Sequence, residues 1–227
     1  VQYVESVFDA VPRMLGKKFV FVRVASDLKS RELRPALELL SKAGIVHLVC
    51  HSAANGVPLG AEVNLSLFKV IFLDVALAQT ILGLEKGEWI LDPFNKISNM
   101  GPLIEALVGQ EILAYGTPSR KKELYYWVRE TKGSTAELDY VCAENQHVIP
   151  VEVKSGKTGR LKSLHLFLES KKHCPYGVQI YQGNFSKEKR LVRVPIYAVS
   201  KALRHSSAFS NKSAEYSDHI RENCQKR

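Results

Sequence analysis

Three ionisable side chains lie at a spacing that suits metal-assisted phosphoryl chemistry. The run Val148-Ile149-Pro150-Val151-Glu152-Val153-Lys154 has strand composition. A period of two puts Glu152 and Lys154 on one face and Ile149, Val151 and Val153 on the other. Thirteen residues before Glu152, Asp139 sits in Ala136-Glu137-Leu138-Asp139-Tyr140-Val141. The Glu144-Asn145 turn is short enough to join both segments as a hairpin, which would bring the two carboxylates together on one face near the strand ends. Paired carboxylates repel unless a cation lies between them, and hard oxygen donors suit Mg2+ or Mn2+. An ammonium beside such an ion, here Lys154, can hold an attacking water and offset charge developing on a phosphoryl group.

The Glu-x-Lys triplet is weak taken alone. Acids and lysines at this density give about two acid-x-Lys triplets by chance in a chain of this length. Its weight comes from context: a strand pattern, a preceding strand with an inward Asp, and a helix carrying acids before both. The competing reading is an Asp/Glu/Lys ion-pair cluster on a sheet face.

The elements that would position these groups can be read from periodicity. Pro102 to Tyr115 reads as a helix through Leu103, Ile104, Leu107, Val108 and Ile112. Strands follow over Glu123–Thr131, Glu137–Cys142 and His147–Lys154, then a helix over Leu161–Ser170 and strands near Val178–Tyr181 and Leu191–Val199. The order is α-β-β-β-α-β-β. Upstream, helical spacing of Tyr3, Val4, Val7, Phe8 and Val11 opens the chain, and Phe19-Val20-Phe21-Val22 reads as a β-rich run. Ser30 is placed to cap a helix with Leu33, Leu37 and Leu40 on its apolar face, closed by Gly44. A strand over Ile45–Cys50, a turn over Ser52–Gly56 and a strand over Phe68–Leu73 complete a helix-plus-hairpin pattern, the second half of a winged helix. A helical stretch from Val75 to Leu84 and a loop rich in Gly, Asp, Pro and Asn lead to the second unit. The expected organisation is a leading helix/strand segment (1–25), a winged-helix module with helical linker (26–100), a catalytic-type α/β domain (101–203) and a polar tail (204–227).

Residues 101–200 resemble the PD-(D/E)xK nuclease superfamily, whose core is α-β-β-β-α-β with Asp and Glu-x-Lys on its second and third strands. The segments Leu124-Tyr125-Tyr126-Trp127, Glu137-Leu138-Asp139-Tyr140-Val141 and Ile149-Pro150-Val151-Glu152-Val153-Lys154-Ser155-Gly156 resemble the C-terminal region of a group of prokaryotic AAA-type P-loop ATPases, in which a winged helix and a nuclease-like domain follow the ATPase module. The resemblance implies Asp139 and Glu152 as metal ligands and Lys154 as a catalytic cation. It also implies an acid on the first helix. Gly101-x-x-x-Glu105, followed by Gly116, looks like the opening of archaeal Holliday-junction resolvases and favours Glu105. Periodicity favours Glu111, which falls mid-stripe with Ile104, Leu107, Val108 and Tyr115. Ser155-Gly156-Lys157-Thr158 mimics the tail of a Walker A motif, but Val151 stands where that motif needs Gly, and Glu152 would repel a phosphate. The ATPase part is therefore expected before residue 1.

Charge supports a polyanionic partner. Residues 1–110 hold 11 basic and 11 acidic side chains, so all of the +9 excess lies in residues 111–227. Lys157, Arg160 and Lys162 lead into the second helix of the domain, where they can meet a phosphodiester backbone. The best apolar run, Phe68 to Ala78, is broken by Lys69 and Asp74 and is too short for a membrane span. The first residues lack a basic-then-apolar leader, and Cys50, Cys142, Cys174 and Cys224 show no metal-ligand spacing, which fits reduced thiols in cytoplasm. The expected function is Mg2+- or Mn2+-dependent hydrolysis of DNA phosphodiesters. The alternative is a non-catalytic DNA- or protein-binding module of an ATPase.

Overall fold

The computed structural model describes residues 1–83, 100–115, 123–130, 135–156 and 159–204. Among these the chain forms α1 (Gln2–Ala10), α2 (Ser30–Lys42), β1 (Val46–Ser52), β2 (Val63–Phe72), α3 (Val75–Ile81), α4 (Met100–Ala114), β3 (Tyr125–Val128), β4 (Glu137–Glu144), β5 (His147–Val153), α5 (Lys162–Ser170), β6 (Gly177–Tyr181), β7 (Ser186–Glu188), β8 (Leu191–Pro195) and α6 (Val199–Arg204). The fold is mixed α/β around one eight-stranded sheet, in the order β2-β1-β3-β4-β5-β6-β8-β7.

α2 buries Leu33, Ala36, Leu37 and Leu40, the stripe that helical periodicity requires. Ser30 is not its cap. Lys29 holds that position, and its backbone N–H donates to the Glu32 carboxylate at 2.8 Å, so a first-turn acid satisfies the orphan donor. Gly44 ends the helix at φ +74, and Ile45 N–H reaches back to the Leu40 carbonyl at 3.0 Å. β1 and β2 then pair antiparallel from Val46↔Phe72 to Cys50↔Phe68.

The hairpin connection is longer than the expected turn. It continues through a 3-10 turn at Leu59–Glu62, and β2 begins at Val63 rather than Phe68. The β-rich run at Phe19–Val22 is likewise not a strand. Lys18, just before it, forms an isolated bridge with Lys69, Phe19 N–H donates to the Phe68 carbonyl at 2.9 Å, and the run becomes a 3-10 turn at Phe21–Arg23. Phe19 stacks on Phe68 with ring centroids 5.6 Å apart and Phe21 meets the same ring at 6.2 Å, so the apolar side chains find burial without a ladder. At the other end of the chain, the strand expected over Leu191–Val199 stops at Pro195 and passes through a 3-10 turn into α6. Proline has no N–H for a further ladder bond. β7 was not anticipated; its three residues are all exposed.

The α2–β1–β2 unit is continuous with the rest of the sheet, because β1 pairs parallel with β3 through Cys50↔Tyr125 and His51↔Tyr126. The linker loop (84–99) and the polar tail from 205 lie outside the described residues. Alternation along the strands sets the two faces of the sheet. On β2, Phe68 and Phe72 meet Phe19 and Phe8 on one face, while Lys69 and Ile71 face α4 on the other. On β3, Trp127 meets Phe167 of α5 edge-on at 5.0 Å, whereas its neighbour Tyr126 lies beside Lys69. α4 therefore covers the face opposite to α2 and α5. Close approach is possible because Gly109 faces the sheet, leaving no room for a Cβ against Ile71 and Tyr140.

Candidate active site

The face of the sheet beneath α4 holds a cluster of charge. Lys69, only 3% exposed, places Nζ 2.9 Å from Glu105 Oε1 and 2.5 Å from Glu137 Oε1. The same ammonium lies 5.3 Å from the centroid of the Tyr126 ring. A charge carried this deep by an apolar strand is tolerable only with such partners. Burial acts to lower the Lys69 pKa, but Glu105, Glu137 and Asp139 outweigh it and raise the value above that of a free lysine. Lys69 is a fixed cation.

Asp139 owes its direction to an irregularity in β4. Leu138 and Val141 both belong to the apolar cluster beneath α5, although residues three apart on a regular strand face opposite ways. The β3–β4 register slips between Tyr125↔Val141 and Trp127↔Leu138, which leaves one extra residue in β4. Tyr140 turns towards α4 and its hydroxyl donates to the Glu105 carbonyl at 2.7 Å. Asp139 accepts from the Val153 backbone N–H at 2.7 Å through Oδ2. That bond ties β4 to β5 one step past the last register pair, Tyr140↔Val151.

Glu152 follows on β5, 6% exposed. Lys154 Nζ donates to its Oε1 at 2.5 Å, while Oε2 is buried and has no hydrogen-bond partner among the described residues. The Lys154 stem runs along Gly159, where an added Cβ would stand 2.8 Å from Lys154 Cδ, so glycine is what lets the lysine lie there.

The electrostatics join these groups into one unit. Burial first, then the Asp139 charge, raises Glu105 to about 8 against the opposing pull of Lys69. Burial and Asp139 likewise raise Glu152 to about 7, against Lys154 and Lys69. Burial raises Asp139 as well, while Lys69, the Val153 N–H and Lys154 favour its charged form. Asp139 thus stands between an inner group (Lys69, Glu105, Glu137) and an outer one (Glu152, Lys154). With every group ionised, four carboxylates face two ammoniums, a deficit of one divalent ion.

Among the described residues, no three His, Cys, Asp or Glu side chains are arranged to hold a metal ion by themselves. Mg2+ is commonly held by only one or two carboxylates plus waters and phosphate oxygens. Asp139 and the bare Glu152 Oε2 fit that smaller donor set.

Of the site residues expected from sequence, Asp139, Glu152, Lys154 and Glu105 lie in or against this cluster. Glu111 follows Glu105 by six residues, which at about 100° per residue sets it roughly 120° away around α4. It is half-buried and forms no ion pair among the described residues. Arg160 and Lys162 are exposed at the start of α5, and Lys157 lies outside the described residues. Tyr125, Tyr126 and Trp127 are all buried and so serve packing. Sequence reasoning missed Lys69, Glu137 and Tyr140. Lys69 did carry a signal, since a single charge inside the buried run Phe68–Phe72 must find a partner on the same face.

Residues 100–199 match the model of a domain of unknown function (DUF4143), a domain known in AAA-ATPase-associated C-terminal regions, and residues 1–88 match a second domain of unknown function (DUF8612). No curated protein and no solved structure matches the chain. Among the described residues no helix is long and apolar enough to cross a membrane.

Proposed function

We propose that this chain carries a divalent-metal-dependent phosphodiesterase site acting on nucleic acid, with DNA as the expected substrate, and that it is the nuclease-like C-terminal part of an ATPase-type protein. The observation that carries the reading is Glu152 Oε2, buried and without a hydrogen-bond partner among the described residues, on the strand next to Asp139 and on a carboxylate whose other oxygen pairs with Lys154. An orphaned carboxylate oxygen in a nearly dry site costs free energy unless a cation or donor completes it. Asp139 and Glu152 would hold Mg2+ or Mn2+, which when bound supplies Lewis-acid polarisation and a water of lowered pKa. Lys154, with its side chain 27% exposed, is placed to meet a phosphate from solvent while anchored to Glu152. Arg160 and Lys162 offer sequence-independent contacts to the backbone of the same substrate.

A second reading, a binding module without catalysis, draws on the capture of Glu105 and Glu137 by Lys69, since those acids are then committed within the protein. The experiment that separates the two is cleavage of single-stranded, duplex and branched DNA in Mg2+ or Mn2+, with Asp139→Asn as control. Metal-dependent cleavage lost in Asp139→Asn supports the enzyme. Retention of DNA by both proteins, with no cleavage and no metal-dependent rise in melting temperature, supports the binding module.

A further inference from the structure

Lys69 belongs to β2, the strand most distant along the sheet from β5 on the α2 side, yet it ends within the acidic cluster. Its backbone is fixed by the ladder to Val49 and by the bridge to Lys18. Its ammonium is enclosed by Glu105 from the helix, Glu137 from β4 and the face of Tyr126. Covering is completed by Gly16, at φ +66, where an added Cβ would stand 3.1 Å from Glu105 Oε2. Oxygen donors from two separate elements directed at one buried positive centre is the environment a metal ion would take. Here the chain fills it with its own side chain.

We propose that Lys69 is a built-in counter-cation that closes the inner half of the site to metal, so that the chain takes a single divalent ion at Asp139 and Glu152 rather than a pair. Two-metal phosphoryl sites need carboxylates shared between ions a few ångströms apart. With Glu105 and Glu137 each held by the ammonium through Oε1, the buried carboxylate oxygen left without a hydrogen bond among the described residues, Glu152 Oε2, belongs to the outer half. The single-ion count rests on the reading of the outer half given above. The role of Lys69 does not, because it concerns the inner acids alone.

The test counts Mn2+ bound per chain by calorimetry and by electron paramagnetic resonance of the free ion, in wild type, Lys69→Ala and the double variant Lys69→Ala/Glu105→Gln. One ion in wild type, two in Lys69→Ala and one in the double variant is the expected result. If Lys69→Ala is unfolded without metal, its refolding on Mn2+ titration, and the loss of that response in the double variant, report the same replacement. Equal counts in wild type and Lys69→Ala, or a folded state of Lys69→Ala that Mn2+ fails to restore, overturn the assignment. Two ions in wild type overturn it too, while leaving the phosphodiesterase reading intact. No ion in wild type and one in Lys69→Ala does the reverse, removing the metal site at Asp139 and Glu152 and keeping the role of Lys69.

Discussion

Replacing Glu152 by Gln in metal-free protein should stabilise the fold at alkaline pH. Glu152 titrates near 7 in the folded chain, against an ordinary value of 4.5, because burial and Asp139 disfavour its charge. An acid whose folded pKa is raised binds more protons folded than unfolded, so its ionisation removes stability as pH climbs from about 4.5 through 7. At about 1.4 kcal/mol per pH unit, the full cost is about 3 kcal/mol above pH 8 and about 1 kcal/mol or less at pH 5. Gln keeps the shape and carries no charge, so Glu152→Gln should exceed wild type by roughly that difference at pH 8 in EDTA and nearly match it at pH 5. Urea unfolding at both pH values measures the gap. Mg2+ at about 1,000 times its Kd should reverse the order at pH 8, since it adds about 4.1 kcal/mol to the protein that binds it, more than the gap of about 3 kcal/mol. Wild type more stable than Glu152→Gln at pH 8 in EDTA would refute the reasoning: the carboxylate would then be satisfied by the protein itself, and the orphaned oxygen would carry no metal argument.

Three further outcomes follow from the geometry. Gly109→Ala gains about 1 kcal/mol of helix propensity but sets a Cβ 2.5 Å from the Tyr140 hydroxyl and closer still to Ile71, so a net loss of about 1–2 kcal/mol is expected in urea unfolding. A gain instead would mean that α4 does not sit on the sheet as described. Asp74→Ala removes the 2.8 Å bond from Leu77 N–H that caps α3, and should cost about 1 kcal/mol in the same assay without altering metal binding. Lys162→Ala should weaken DNA binding evenly across sequences and reduce the salt dependence by about one phosphate contact; an unchanged slope would place the DNA elsewhere.

Legibility varied with the range of the interaction. Stripes such as Leu33, Leu37 and Leu40, the left-handed close at Gly44 and the alternation that sets Val151 and Val153 apart from Glu152 are local consequences of residue type, and they appear where the sequence places them. That Asp139 and the Glu152–Lys154 pair stand on adjacent strands was legible for the same reason, since a short hairpin joins β4 to β5. Elements whose fate depends on a distant partner were not. Phe19 and Phe21 have strand composition, but rings on β2 decide their conformation. Leu191–Val199 reads as one run until Pro195 ends its ladder.

The chemistry-bearing residue types, their spacing and the mixed α/β pattern were thus determined by the sequence alone, because periodicity and turn chemistry act within a few residues. Only the tertiary structure decided that β1 would join β3 and carry Lys69 of β2 between Glu105 and Glu137, that an extra residue in β4 would turn Asp139 towards them, and that Glu152 would be left with one bare oxygen. The Lys69 pairs join residues 36 and 68 positions apart and the β1–β3 pairing joins residues 75 apart, where burial and charge pairing, rather than local preference, set which side chains meet.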